Sequence, residues 1–294
     1  MNKPVEAAAT AITGAEAAVE LLKAHGVETT KVLIAHGANV RGREGRKGQT
    51  PLMWAAAENN VAAIRALVEA GADVNERSTG GSFTPYLFAV RAGHIDAARA
   101  LIDAGVDVNQ SLTDGTSALV LAVVNAHYEL AAALLDKGAN PNADKQGWTA
   151  LHQIAWSRRH NAGFNLPGPV ATGGLDSLDL VRKLVQKGAN VNARMTKEPR
   201  DGNRNQLNRI GSTAFLMATK SDDVPLMRTL LEVGADPALT TNRGTTALMA
   251  GAGGGIWPPF EASASMAAAI WAGKPARFMS GIVIAPSTTT LATA

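Results

Sequence analysis

Six histidines are the chain's only side chains that ordinarily titrate near neutrality, and there is no cysteine. Lack of cysteine excludes disulfides, thiolate ligation of zinc or iron–sulfur clusters, and thiol nucleophiles. His152 and His160 flank the start of a loop, with no glutamate at the spacing of a helical zinc-protease motif. Asp201, Asn203 and Asn205 open like a calcium loop. Gln206 then stands where such a loop needs glycine, and Ser212 where it needs a bidentate glutamate. The glycine run 251–255 ends in Ile256, which breaks a dinucleotide-binding pattern at its last position. Neither a Walker loop nor a nucleophile elbow is present. His25, His36, His94 and His127 fall at helix ends or turns, where an imidazole caps carbonyls. The expectation is a protein without catalytic residues, metal or cofactor.

Charge is more informative by position than in sum. The net value is +3, from 28 basic and 25 acidic residues. The basic excess gathers in three segments: 41–47 (Arg41, Arg43, Arg46 and Lys47 against Glu44), 158–175 (Arg158 and Arg159) and 193–210. The last holds Arg194, Lys197, Arg200, Arg204 and Arg209 against Glu198 and Asp201. A mildly acidic scaffold therefore carries basic loops, which suits an acidic protein partner. Dense interleaving of basic and aromatic residues, as single-strand binding uses, is missing, so nucleic acid is not the expected partner. No apolar run reaches the length of a membrane helix. Glu6 and Glu16 spoil the N-terminus as a signal peptide, so the expectation is a cytoplasmic monomer, unless a mis-assigned start hides an export signal.

Two recurrent markers define what must position these side chains. Gly71-Ala72-Asp73-Val74-Asn75 returns at Gly105, Gly138 and Gly188, with degraded copies at Gly37 and Gly234. A second marker, Thr50-Pro51-Leu52, returns at Thr84, Ser117, Thr149, Thr213 and Thr246. Both give a unit of about 33 residues, the scale of a helical repeat. Within each unit, Thr or Ser supplies an N-cap, and Pro51 and Pro85 sit at the first helical position. Apolar residues at helical spacing follow in two short runs, and glycine closes the second with a left-handed cap. One helix pair cannot bury its own apolar face, so stability must come from stacked neighbours. The fold class is all-α: a solenoid of helix-turn-helix units joined by short β-turn or hairpin connections.

Gly48-Gln49-Thr50-Pro51-Leu52-Met53-Trp54-Ala55-Ala56 and Gly93-His94-Ile95 through Gly105 closely resemble the ankyrin repeat family, and the resemblance covers roughly residues 37–252. The chain as a whole looks like a bacterial member with fixed loop insertions. The histidine usual after Pro-Leu survives only as His152, so polar bonding between repeats should be thin. The segmentation expected is 1–40 as irregular capping helices (15–25 and 29–36), 41–252 as the array, with insertions at about 158–175 and 193–210, and 253–294 as an atypical low-charge tail. The tail reads either as a divergent or unordered cap or as the product of a shifted reading frame.

The resemblance implies a non-catalytic scaffold that binds a protein through its concave face and loops. Alternatives are a structural module of a larger assembly and, less well supported, an RNA-binding array. Concave-face positions that the fold leaves free mark the partner contacts: Arg46, Lys47, Gln49, Trp54, Phe83, Phe88, Trp148, Gln153 and Trp156. The insertions add Arg158, Arg159, Arg200 and Arg204. Trp54, Phe88, Trp148 and Trp156 are expected to form an exposed aromatic patch on one side.

Overall fold

The computed structural model describes residues 27–79, 82–158, 170–199 and 209–252. It opens in a helix, α1 (27–35). Helix pairs follow: α2 (Pro51–Ala57) with α3 (Val61–Glu69), α4 (Pro85–Ala92) with α5 (Ile95–Asp103), and α6 (Ala118–Val124) with α7 (Tyr128–Asp136). Next come α8 (Ala150–Ser157) with α9 (Ser177–Gln186), α10 (Ala214–Lys220) with α11 (Val224–Glu232), and finally α12 (Ala247–Gly251). First helices pack in series, α2 on α4 on α6 on α8 on α10 on α12, and second helices form a parallel outer row.

The repeat markers carry out the local work assigned to them. The hydroxyls of Thr50, Thr84, Ser117, Thr213 and Thr246 each accept from the backbone N–H three residues on, satisfying a donor that the first turn leaves unpaired. Glycines 37, 71, 105, 138, 188 and 234 all have φ between 82° and 98°, a region where a side chain would be strained. Alanines 56, 89, 98, 122, 131, 155 and 218 are fully buried. Their small side chains let adjacent helices approach closely, with Leu52, Tyr86, Leu119, Leu151 and Phe215 filling the space between pairs. In the last copy the equivalent Leu248 is 53% exposed.

Polar bonding between repeats is richer than the missing Pro-Leu-His motifs suggest, and that expectation is corrected here. Asp73, Asp107, Asn140, Asn190 and Asp236 each accept from the N–H two residues on, making a tight turn. The asparagine ending each motif then reaches the next copy. Asn109 Oδ1 accepts from Asn140 N (2.8 Å), Asn142 Oδ1 from Asn190 N (2.7 Å) and Asn192 Oδ1 from Asp236 N (2.8 Å). His94 and His127 use Nε2 on the carbonyls of Ala57 and Arg91 in the preceding repeat (3.0 Å each). The sequence repeat is thus also a hydrogen-bond ladder.

The first insertion lies between α8 and α9, and its returning end is strapped to α7. Thr172 N donates to Ala126 O (3.2 Å), Thr172 Oγ1 meets His127 Nδ1 (2.8 Å), and Gly174 N donates to Glu129 Oε2 (3.1 Å). Gly173 has φ of 85°, where a side chain would be strained, and a Cβ there would lie 2.0 Å from Glu129 Oε2, so a larger residue would displace the glutamate that holds the strap. The second insertion leaves from a turn closed by Met195 N to Ser212 O (2.9 Å) and Gly211 N to Met195 O (2.8 Å). Residues 15–25 and the tail 253–294 lie outside the described residues, as do 159–169 and 200–208.

Candidate protein-interaction face

Counting from each N-cap residue gives three positions that share one side of the array. The residue before the cap ends a turn. The fourth and seventh after it are one helical turn apart on the same face of the first helix. In order the triplets are Gln49/Trp54/Ala57, Phe83/Phe88/Arg91, Thr116/Leu121/Val124, Trp148/Gln153/Trp156 and Ser212/Met217/Lys220. Aromatic residues therefore crowd the second and fourth units, while the third carries smaller aliphatic side chains.

Contacts within the triplets follow this register. The Phe83 and Phe88 rings meet with centroids 5.3 Å apart, and the Arg91 guanidinium lies over both, at 5.2 and 5.8 Å. Trp148 Nε1 donates to Gln153 Oε1 (3.0 Å), whose Nε2 donates to Ser157 Oγ (3.0 Å). Trp156 carries the Arg209 guanidinium at 4.5 Å, and Arg209 Nε is ion-paired with Glu198 (2.7 Å).

The charged edge is built from a turn. Glu44 accepts from the backbone N–H groups of Arg46 (2.7 Å), Lys47 and Gln49 (3.3 Å). These bonds, that from Arg46 foremost, hold the carboxyl below its ordinary pKa. Arg46 and Lys47 are exposed at that turn, and Lys47 O accepts from Thr79 N (2.8 Å) in the next one.

Placement of the expected contact residues is uneven. Arg46 and Lys47 are exposed, and Gln49, Trp54, Phe83, Trp148 and Trp156 are partly exposed. Phe88 is only 8% exposed and Gln153 9%, so the exposed patch of four aromatics is corrected. Phe88 packs into the array under Phe83 and Arg91. Trp148 and Trp156 also lean on the core. Arg158 is corrected as well: it is a strut inside the array. Its Nε and Nη2 bind Asp223 (2.7 and 3.2 Å) and its Nη1 donates to Ser177 Oγ (2.5 Å). Arg159, Arg200 and Arg204 fall outside the described residues.

Arg91, Val124 and Arg209 were not singled out from sequence. The signal for the first two was available in the spacing, since both stand seven residues past an N-cap, as Trp156 does. Arg209 had no such marker.

His152 has a structural role. Its Nε2 donates to Ser212 O (3.1 Å), leaving Nδ1 to accept from Thr149 N (3.2 Å). Burial pushes its pKa down to about 4, against opposing help from the carbonyls of Ser212 and Ala193 and the charge of Asp144. On the outer row lies a recess of about 500 Å³ lined by Arg99, Glu129, Asp136, Lys183 and Leu175, in which Asp136 is paired with Lys183 (2.6 Å) and with Lys187 just outside it (2.9 Å). Among the described residues no cluster of three metal-ligating side chains occurs, and no helix is long and apolar enough to cross a membrane.

A row of capped helix pairs stacked in series defines a helical-repeat array. Family comparison says which one. Profiles described as ankyrin repeats in three copies, ankyrin repeats in many copies and a single ankyrin repeat match residues 86–166, 52–102 and 146–196. The chain belongs to the ankyrin repeat family. Among solved structures it is similar to the human ASB11 ankyrin repeat domain, with 23% identity over 89% of this chain and 98% of that one, at a TM-score of 0.61. It is also similar to the ankyrin repeat domain of Bcl-3, a member of the IκB protein family, with 26% identity over 79% of this chain and 92% of that one, at a TM-score of 0.62. A search of curated proteins finds no match. Ankyrin repeat domains generally mediate protein–protein interactions and are non-catalytic modules.

Proposed function

We propose that this chain is a non-catalytic, monomeric scaffold in the cytoplasm that binds a protein partner on its concave face. The face is centred on the second to fourth helix pairs. The observation carrying this reading is the in-phase row Trp54, Phe83, Arg91, Val124, Trp148 and Trp156, at positions where repeat packing asks for no aromatic residue. Binding hot spots favour tryptophan, tyrosine and arginine in such settings. Exposed Arg46 and Lys47 form a charged rim that favours an acidic partner, since rim charges chiefly guide encounter.

Site-specific photo-crosslinking tests the face. A photoreactive residue at Val124, which is 39% exposed on the concave side, is expected to trap one discrete adduct in cells. The same residue at Arg99, on the outer row, is expected to trap none. Adducts from Arg99 and none from Val124 would place the interaction elsewhere.

A further inference from the structure

We infer that Arg91 is a carboxylate receptor, and that the partner presents an aspartate or glutamate side chain to it from an extended segment. The same segment seats an aliphatic side chain on Val124. This rests on the concave-face reading and names the chemistry recognised there.

Two arginine–aromatic stacks flank the third unit, and they differ in one respect. At Trp156 the stacked Arg209 has its carboxylate supplied from within. Glu198 accepts from Arg209 Nε (2.7 Å) and from Arg209 N (2.9 Å); Arg209 is only 4% exposed, while the Glu198 side chain keeps 39% of its surface in solvent. At Phe83 and Phe88 the stacked Arg91 is exposed. No carboxylate among the described residues lies within ion-pair reach of it, and its guanidinium N–H groups have no acceptor there. Stacking over rings fixes the guanidinium plane and leaves its N–H edge for a planar, two-oxygen acceptor. Glu198 on Arg209 shows, within the same molecule, the group that completes such a stack.

The neighbouring surface gives the second half of the recognition element. Along the row seven residues past each cap stand Ala57, Arg91, Val124, Trp156 and Lys220. Arg91, the charged member of this row in the second to fourth units, is cationic, which suits an acidic segment. Val124, beside Arg91 in the next unit, is 39% exposed and apolar. Packed helices lie roughly 8–10 Å apart, and an extended chain of polyproline-II type rises about 3.1 Å per residue and presents every third side chain on the same side. An acid on Arg91 and an aliphatic residue on Val124 are therefore about three residues apart.

A phage-displayed library of random peptides, selected on the full chain, tests this. Binders are then remade as C-terminally amidated synthetic peptides for fluorescence anisotropy. The expected consensus places Asp or Glu three residues from Leu, Ile or Val. Affinity should fall at least tenfold in Arg91→Ala and in Val124→Glu and stay within twofold in Arg99→Ala, with helical content unchanged in all three. Binders without acidic enrichment, binders indifferent to Arg91→Ala, or a library yielding no binder would each overturn the proposal. Loss of binding in Val124→Glu and Trp54→Ala but not in Arg91→Ala would sink the carboxylate receptor and leave the concave face standing. Indifference to all of these substitutions would sink both.

Discussion

The guanidinium of Arg158, at the end of α8, clasps the carboxylate of Asp223, at the start of α11, through Nε–Oδ2 at 2.7 Å and Nη2–Oδ1 at 3.2 Å. Asp223 is 1% exposed and also caps α11 by accepting from Leu226 N (3.2 Å). Arg158 in addition holds Ser177, the first residue of α9. One side chain thus ties three helices together where the first insertion interrupts the array.

Removing Arg158 would leave a buried, uncompensated carboxylate. Arg158→Met should cost about 3 kcal/mol in urea unfolding, at the lower end for breaking a buried pair because the arginine is partly solvated. Adding Asp223→Asn, which keeps the cap without the charge, should recover most of that loss. An additive double variant would mean that the two side chains do not act as a pair.

His152 makes stability depend on pH in a definite window. Its unfolded pKa is near 6.5 and its folded pKa about 4, so the unfolded chain binds the extra proton between these values. Stability from the neutral imidazole is fully present above pH 6.5 and is lost as pH falls toward 4, roughly 3 kcal/mol in all. Chemical denaturation at pH 7.5, 5.5 and 4.5 should show this decline. In His152→Gln the decline over the same interval should flatten. A wild-type profile that is level from 7.5 to 4.5 would show that the buried imidazole is not what couples this array to protons.

The repeat was legible because each of its rules is local. Threonine at the cap and glycine at the close act within one turn of helix, and their spacing survives both insertions. What stayed hidden needed the third dimension. Arg158 reads as one more loop cation until the fold brings Asp223 to it from 65 residues away. Phe88 and Phe83 read alike as spare aromatics, yet only stacking of α4 against its neighbours tells which one is covered. The histidines were expected on carbonyls, and His94 and His127 sit on them, but the asparagine ladder stayed hidden for another reason. Its partners are backbone carbonyls and N–H groups, which no residue type announces.

Phe88 and Trp54 should therefore separate in stability experiments, although they occupy the same repeat position. Phe88→Ala deletes a ring that is 8% exposed and joined to the main core, and should cost about 3 kcal/mol or more. Trp54→Ala removes a partly exposed side chain at the end of the array's described aromatic row and should cost clearly less. Thermal melts of the two variants decide this. Equal losses would mean that the concave face is uniformly core at this position, leaving Trp54 no margin for contact with a partner.

Arg46 and Lys47 should act on association and not on folding. Both are exposed, and the turn beneath them is held by backbone bonds to Glu44, which charge reversal of the two side chains leaves in place. Arg46→Glu with Lys47→Glu should thus change stability by no more than about 0.5 kcal/mol, the usual range for surface substitutions. Its effect on binding should be kinetic. With an acidic peptide as ligand, stopped-flow association at low salt should slow by roughly tenfold and lose most of its dependence on ionic strength, as expected when a steering field is removed. Dissociation should change little, because anchoring belongs to the aromatic row and to Arg91. If the double variant instead dissociates faster while associating at the wild-type rate, the turn belongs to the bound contact itself, and the division between rim and anchor is wrong.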